Sequence, residues 1–443
     1  MYVQAPPDVD EILTRLEPAR AIRALSGVMR AAENAGTSYL HWDKLRHLEP
    51  PSGLTHEEWW LSLKIPRRAL YRQIPLTDQS GRSFVYALPD EAQRLLHLVD
   101  QKCSGEVAMP DVVIGDDQAR RHYLVNSLME EAIRSSQLEG ATTSRRVAKE
   151  LLTTGRPPKN RSERMIANNY RALEYMRGVS DELTPAVVLE LQRILTEGTL
   201  DNSDAAGRLQ TPAEERVAVY DRLDGALIHT PPPAEQLPER LEAMCEFANA
   251  REDERFMHPV LRAILVHFWL AYDHPFEDGN GRTARALFSW SLRTQGYWLV
   301  EYLSISRILR DAPAQYTKAF LLTETDERDT TYFVIYQLQV MRRAIDEFQR
   351  YLRRKLDEVQ NIERKVRRAG EFNHRQLALL SEAVRNDDRR FSFSSHAAIH
   401  GVTHETARSD LLALSERGLL DRRRVGRAYV FTPAADLPLR LSA

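Results

Sequence analysis

His274-Pro275-Phe276-Glu277-Asp278-Gly279-Asn280-Gly281-Arg282-Thr283-Ala284-Arg285 is the stretch from which the rest of the chain is read. Apolar residues at helical spacing run up to it from Val260 to Tyr272, and a second such run, Ala286 to Leu292, leads away. The stretch is therefore a tight turn between two helices. Gly279 and Gly281 bracket Asn280, which lets the backbone adopt positive φ and turn its N–H groups toward one point. At the start of the following helix, unpaired donors and the helix dipole favour an anion there. Arg282 and Arg285, three residues apart, share a helix face beside that hole. Asp278 offers a hard oxygen ligand suited to Mg²⁺, and His274 is a side chain able to accept a proton near neutral pH. Together they describe a site for the phosphates of a nucleotide, with a base ready to activate a nucleophile.

At every fixed position this stretch resembles the Fic-domain signature His-Pro-Phe-x-Asp/Glu-Gly-Asn-Gly-Arg-x-x-Arg. The resemblance implies a mainly α fold: a helical core carrying a small β-hairpin flap. It implies transfer of AMP from ATP, with Mg²⁺, to a Ser, Thr or Tyr hydroxyl of a target protein and of the enzyme itself. His274 would take the hydroxyl proton and Asp278 would hold the metal. Gly279, Asn280 and Gly281 would form the anion hole, Arg282 would contact the phosphates, and Arg285 would hold the γ-phosphate. Phe276 would be an apolar anchor that keeps His274 in place. Upstream, Ser135-Ser136-Gln137-Leu138-Glu139-Gly140 resembles the family's inhibitory motif Ser/Thr-x-x-x-Glu-Gly/Asn. By that likeness Glu139 pairs with Arg285 at rest, since a carboxylate and a phosphate compete for one guanidinium fork. Where the family often has a Tyr-Tyr pair, this chain has Gln315-Tyr316, which leaves the contact to the base open.

Composition narrows the setting. The 443 residues suffice for several domains, and 61 basic residues against 63 acidic ones create no field that draws in nucleic acid or membrane. Cys103 and Cys245 are too few for a disulfide framework. Met1-Tyr2-Val3-Gln4-Ala5-Pro6-Pro7 has no signal-peptide character, and no run approaches the roughly 18 apolar residues of a membrane span. A cytoplasmic enzyme without a membrane partner is expected.

Along the chain, residues 1–110 read as an α/β accessory domain. Ile12, Leu16, Ala19, Ile22 and Leu25 suggest one helix from Asp10 to Asn34. Trp42, Leu45, Trp59, Trp60 and Leu63 supply a small core, and Phe84 to Leu88 a strand after a turn. Residues 111–335 form the core, with the inhibitory helix at about 119–140 ending near Gly140. Arg216 to Tyr220 and Leu227 to Pro233 are two short extended runs; in the Fic family such a flap holds the target by strand addition. His229 within it reads as structural. His258, His267 and His274 lack the spacing of a compact metal site.

A linker helix over 336–369 shows a heptad pattern: Leu338, Ile345, Leu352, Val359 and Val366, with Met341, Phe348, Lys355 and Ile362 three residues after the first four. It suggests pairing with another helix, including that of a second copy. Residues 370–443 resemble a winged helix: three helices, then Arg422 to Phe431 as two strands around a turn. DNA binding through His404, Thr406, Arg408 and the Arg422–Arg424 run competes with a protein-docking role. Alternative readings keep the site but change the outcome: another nucleotide donor, removal of AMP, or a nucleotide-sensing DNA-binding regulator.

Overall fold

The structure is a computed structural model that describes residues 2–22, 39–104, 117–179, 182–220, 227–249, 256–368, 372–385, 389–425 and 428–441, with the backbone alone at a few helix and strand positions. It forms two compact units, residues 1–107 with 124–345, and residues 108–123 with 346–443. Helices dominate, and the sheets among the described residues are three antiparallel pairs. The architecture is mainly α with small hairpins, as expected.

At the centre of the first unit lies the helix Pro259–Asp273. Its sequence is apolar all round, the pattern of a helix with no solvent face, and every residue from Val260 to Leu270 is buried. Pro259 occupies the first turn, where its missing N–H costs nothing, and His258 Nδ1 accepts from Val260 N at 3.2 Å. Leu237–Asn249 and Asn280–Thr294 pack against it. Outside these lie Asp117–Leu138, Arg145–Thr154, Arg161–Gly178 and Pro185–Thr196. The hairpin of Val219–Tyr220 and Leu227–His229 precedes the central helices. Ile305–Asp311 and Pro313–Thr325 follow them.

The N-terminal region departs from the sequence reading in two places. The first helix is only Val9–Arg15, with its cap residue Leu16 already extended. Pro18 follows two residues later, and a proline drives the residue before it, here Glu17, away from helical geometry. A short helical stretch resumes at 18–22, and Leu25 lies outside the described residues. The second departure is a strand, Arg72–Thr77, paired antiparallel with Ser83–Tyr86. Its interior Pro75 is accommodated because the pair is two-stranded and an edge tolerates proline. Trp42 and Trp60 do form a core, with Val9, Ile12, Leu45 and Leu61.

This region is joined to the core by backbone bonds and buried charge. Thr330 N donates to Val85 O at 2.8 Å, and Ala87 N to Thr331 Oγ1 at 2.8 Å. Lys64, fully buried on the helix His56–Leu70, meets Asp326 at 2.6 Å, Glu327 at 3.3 Å and Tyr71 Oη at 2.8 Å. Tyr39 and Tyr71 both donate to Asp329 Oδ2, at 2.6 and 2.8 Å, and Tyr332 donates to Asp326 Oδ2 at 2.7 Å. Residues 1–107 cluster with residues 124–345 in one unit; residue 110, the expected end of the accessory domain, lies outside the described residues.

The helix Thr331–Arg368 carries Leu338, Met341, Ile345, Phe348 and Leu352 buried. The later heptad positions Lys355, Val359, Ile362 and Val366 have side chains outside the described residues. The second unit contains the helices His374–Arg385, Phe393–His400 and His404–Glu416, then the hairpin of Leu420–Val425 with Ala428–Pro433. Leu380, Leu411, Leu414 and Phe431 close its core, and Arg422, Arg423 and Arg424 are exposed on the hairpin. No described helix is long and apolar enough to cross a membrane.

Candidate active site

The signature turn is built by its own side chains. The helix Pro259–Asp273 ends on His274, whose N–H still bonds Leu270 O at 3.0 Å while its backbone turns left-handed, at φ 45° and ψ 53°. Phe276 inserts into the core with no exposed surface. Asn280 pins the turn from the other side: its Oδ1 accepts from Phe276 N at 2.9 Å and its Nδ2 donates to Phe276 O at 2.8 Å. The side chain of Asn280 is thus a brace, and only its backbone N–H is offered to an anion. Gly279, at φ 89°, is the cap residue of the helix Asn280–Thr294, and a Cβ there would lie 3.1 Å from Thr196 Cγ2. The first-turn N–H groups of this helix have no intrahelical acceptor, which makes its start a natural anion seat.

The two signature arginines do different things. Arg282 is fully buried; it donates to Leu195 O at 2.9 Å and to Asp278 Oδ2 at 3.2 Å. It therefore orients Asp278 and does not reach out beside Arg285. Asp278 also accepts from Gly279 N at 2.6 Å, has Arg161 at 3.9 Å, and keeps part of its carboxylate exposed. Arg285 faces the helix Asp117–Leu138. Its Nη2 meets Glu139 Oε1 at 2.9 Å and Ser135 O at 3.2 Å, and its Nε donates to Ser135 Oγ at 3.0 Å. Its Nη1 is buried without a hydrogen-bond partner among the described residues. Gly281 makes room for this arrangement, since a Cβ there would overlap Glu139 Oε1. Gly140, at φ 100°, ends the upstream helix as its composition suggested.

No motif marks Glu131, two turns before Glu139. It is buried and accepts from Ser304 Oγ at 3.0 Å, Ser306 N at 3.1 Å and Ser306 Oγ. Burial raises its carboxyl pKa against these donors. It caps the helix Ile305–Asp311 and fastens the upstream helix to the core.

His274 is held neutral. Burial pushes its pKa down to about 4, and His229 and Arg216 act in the same direction, opposed by Glu139 and by Ala271 O. Its Nδ1 lies 3.4 Å from Ala271 O. A carbonyl only accepts, so Nδ1 carries the hydrogen and Nε2 keeps the lone pair. His229 is different. Its Nδ1 is 2.8 Å from Glu324 Oε2 and its Nε2 2.7 Å from Tyr272 O. Both partners are acceptors, so both nitrogens carry hydrogen and the ring is cationic. Burial opposes that charge, but Glu324 and Tyr272 O outweigh it and its pKa is raised. The sequence reading of His229 as structural misses this charge.

His258 and His267 serve elsewhere. His258 bonds Asp100 at 3.0 Å, and His267 bonds Tyr316 Oη at 2.7 Å. Among the described residues no cluster of His, Cys, Asp or Glu could hold a metal ion through three protein ligands. Asp278 keeps part of its side chain exposed, which suits a metal completing its shell with phosphate and water. Of the Gln315-Tyr316 pair, Gln315 is exposed and Tyr316 reaches inward toward Arg285.

Residues 182–292 match the model of the Fic/DOC family. Over that span the chain is similar to Fic domains. The matched span contains the hairpin, the turn and both signature arginines, and stops short of Glu131 and Glu139. Over 69 residues the chain is 41% identical to the protein adenylyltransferase Fic of Nematostella vectensis and to that of Culex quinquefasciatus. The match spans 16% of this chain, and 16% and 14% of those relatives. A Fic family protein from Desulfovibrio desulfuricans G20 superimposes over 82% of this chain and 98% of its own, at a TM-score of 0.52 and 19% identity. Fic-1 from C. elegans covers 77% of this chain and 90% of its own at 0.51 and 18%. At these identities the likeness is one of fold.

Proposed function

We propose that this protein is a protein adenylyltransferase that moves AMP from ATP to a Ser, Thr or Tyr hydroxyl, and that Glu139 restrains it. The observation that carries the reading is the pairing of a neutral His274 with the open start of the helix Asn280–Thr294 inside a Fic domain. A hydroxyl at Nε2 of His274 gives up its proton as its oxygen bonds to the α-phosphorus. The bond from that phosphorus to the bridging oxygen breaks, and pyrophosphate leaves. Backbone N–H groups of Asn280, Gly281 and Arg282 would receive the phosphate oxygens, and preset donors of this kind are a large catalytic contribution. Asp278, oriented by Arg282, is the residue that would hold Mg²⁺, which supplies charge neutralisation at the phosphates. Arg285, whose Nη1 has no hydrogen-bond partner among the described residues, would take the terminal phosphate once Glu139 withdraws.

The test compares wild-type, Glu139→Gly and His274→Ala protein given Mg²⁺ and ATP labelled at the α-phosphate. Weak labelling in the wild type, strong labelling of itself or of a lysate target in Glu139→Gly, and none in His274→Ala are expected. Label absent from all three would overturn the reading. A second reading, nucleotide-controlled DNA binding, draws on the exposed Arg422–Arg424 run of the C-terminal hairpin. It predicts binding to a duplex that changes with ATP while no protein becomes labelled.

A further inference from the structure

A helix that ends inside a protein must find donors for its last carbonyls. The helix Pro259–Asp273 finds them on the root of the hairpin. His229 Nε2 donates to Tyr272 O at 2.7 Å. Arg216 Nη2 donates to Asp273 O at 2.8 Å and to His274 O at 3.2 Å. The same guanidinium donates through Nε to Pro232 O at 2.9 Å and through Nη1 to Gln210 Oε1. Gln210 N then donates to Pro275 O at 2.9 Å. Four consecutive carbonyls, 272 to 275, are thus held by residues that flank the two strands. Two of the donor groups are cations, which also suit a helix C-terminus electrostatically.

The peptide they grip is the strained one. A non-glycine residue with left-handed backbone is disfavoured, and it persists only where its surroundings fix it. His274 is one of three such residues among those described. Its carbonyl and that of Asp273 are joined by a single guanidinium, a geometry that a relaxed, extended turn would not offer.

We propose that Arg216 and His229 are positioning residues, which set the left-handed turn at His274 from the root of the hairpin and so couple the seating of that hairpin to the aim of the base. This rests on His274 being the base of the transfer reaction. An extended peptide laid along the hairpin would act on the turn through the same two side chains. Neither residue touches the nucleotide site, and both act through the His274 backbone.

The experiment uses the full chain carrying Glu139→Gly, with Arg216→Met, Arg216→Lys and His229→Gln added singly. Arg216→Met lowers kcat by at least about tenfold while KM for ATP stays within about twofold, because small misplacement of a reacting group is costly. Arg216→Lys, a single-point donor, recovers part of that loss. His229→Gln, which keeps a donor for Tyr272 O, loses less than Arg216→Met.

A second readout does not require turnover: the imidazole resonance of His274 by NMR. It moves in Arg216→Met, and its titration midpoint rises in both Arg216→Met and His229→Gln. The charged groups facing His274 are His229, Arg216 and Glu139, with the Asp273–Arg240 pair behind them. Glu139→Gln therefore shifts the midpoint the opposite way. If the parent shows no labelling, the transfer reading fails while the NMR result still decides the positioning. Should Arg216→Met not fold, His229→Gln decides by the same measurements. An unchanged kcat and an unmoved His274 resonance in a folded variant would overturn the proposal.

Discussion

Around Lys64 and around Arg285 the protein removes full charges from water, and the two regions complete the task differently. Lys64 is surrounded by Asp326, Glu327 and the Tyr71 hydroxyl, and the neighbouring Asp329 accepts from that same Tyr71 and from Tyr39. Arg285 is also buried but has one carboxylate, a serine and the nearby Tyr316 hydroxyl, and its Nη1 has no hydrogen-bond acceptor among the described residues. A closed cluster contributes to stability and fixes geometry. An incomplete one leaves binding capacity in place, so unfilled donors separate a site from a strut even where burial and residue type do not.

The largest expected effect lies on the closed side. Lys64→Met leaves buried carboxylates uncompensated and should cost about 3–5 kcal/mol, read by denaturant unfolding. Adding Asp326→Leu should recover much of that loss. If Lys64→Met were neutral, the cluster would not be the strut described here.

On the open side the effects are smaller. Gly281→Ala drives a methyl into Glu139 Oε1 and should destabilise by about 1–3 kcal/mol, the usual range for overpacking. In a Glu139→Gly background the same change should cost far less. Equal losses in both backgrounds would mean that the carboxylate is not what fills the space. Glu139→Gln should lower stability by at most about 1.5–3 kcal/mol, the value of a hydrogen bond to a charged group, and raise labelling.

The smallest effect is a near-absence of change. With its pKa pushed down to about 4, His274 stays neutral across mild acid. The labelling rate should therefore change by less than about twofold between pH 7 and pH 5.5. The sign for stability is the reverse of benign. In the unfolded chain His274 takes its proton near the ordinary value of about 6.5, so its contribution to stability drains as pH falls from there toward 4. His41, pushed down to about 3 beside the Lys64 cluster, acts in the same direction. A rate that collapses at pH 6.5 while the protein stays folded would show that His274 titrates normally.

Legibility from sequence followed distance along the chain. The signature declared its turn because His274 through Arg285 are contiguous. Glu139 was found by a short motif. The Lys64 cluster was not, since its partners lie some 260 positions away and a lone lysine on a helix reads as solvated. Arg216 escaped for another reason. Its acceptors are main-chain carbonyls, which every residue has, so no side-chain pattern announces them. Arg282 was placed beside Arg285 by spacing alone, and its neighbour Leu195 O drew it inward instead.

On the proposed reading, a single guanidinium is shared by an internal carboxylate and a ligand phosphate, so the two occupancies are thermodynamically linked. Linkage is reciprocal for binding free energies. Whatever factor Glu139 subtracts from nucleotide affinity, bound nucleotide subtracts from the docking of Glu139 and the end of its helix. The restraint then has no fixed strength, and it weakens in proportion as the concentration of nucleotide rises.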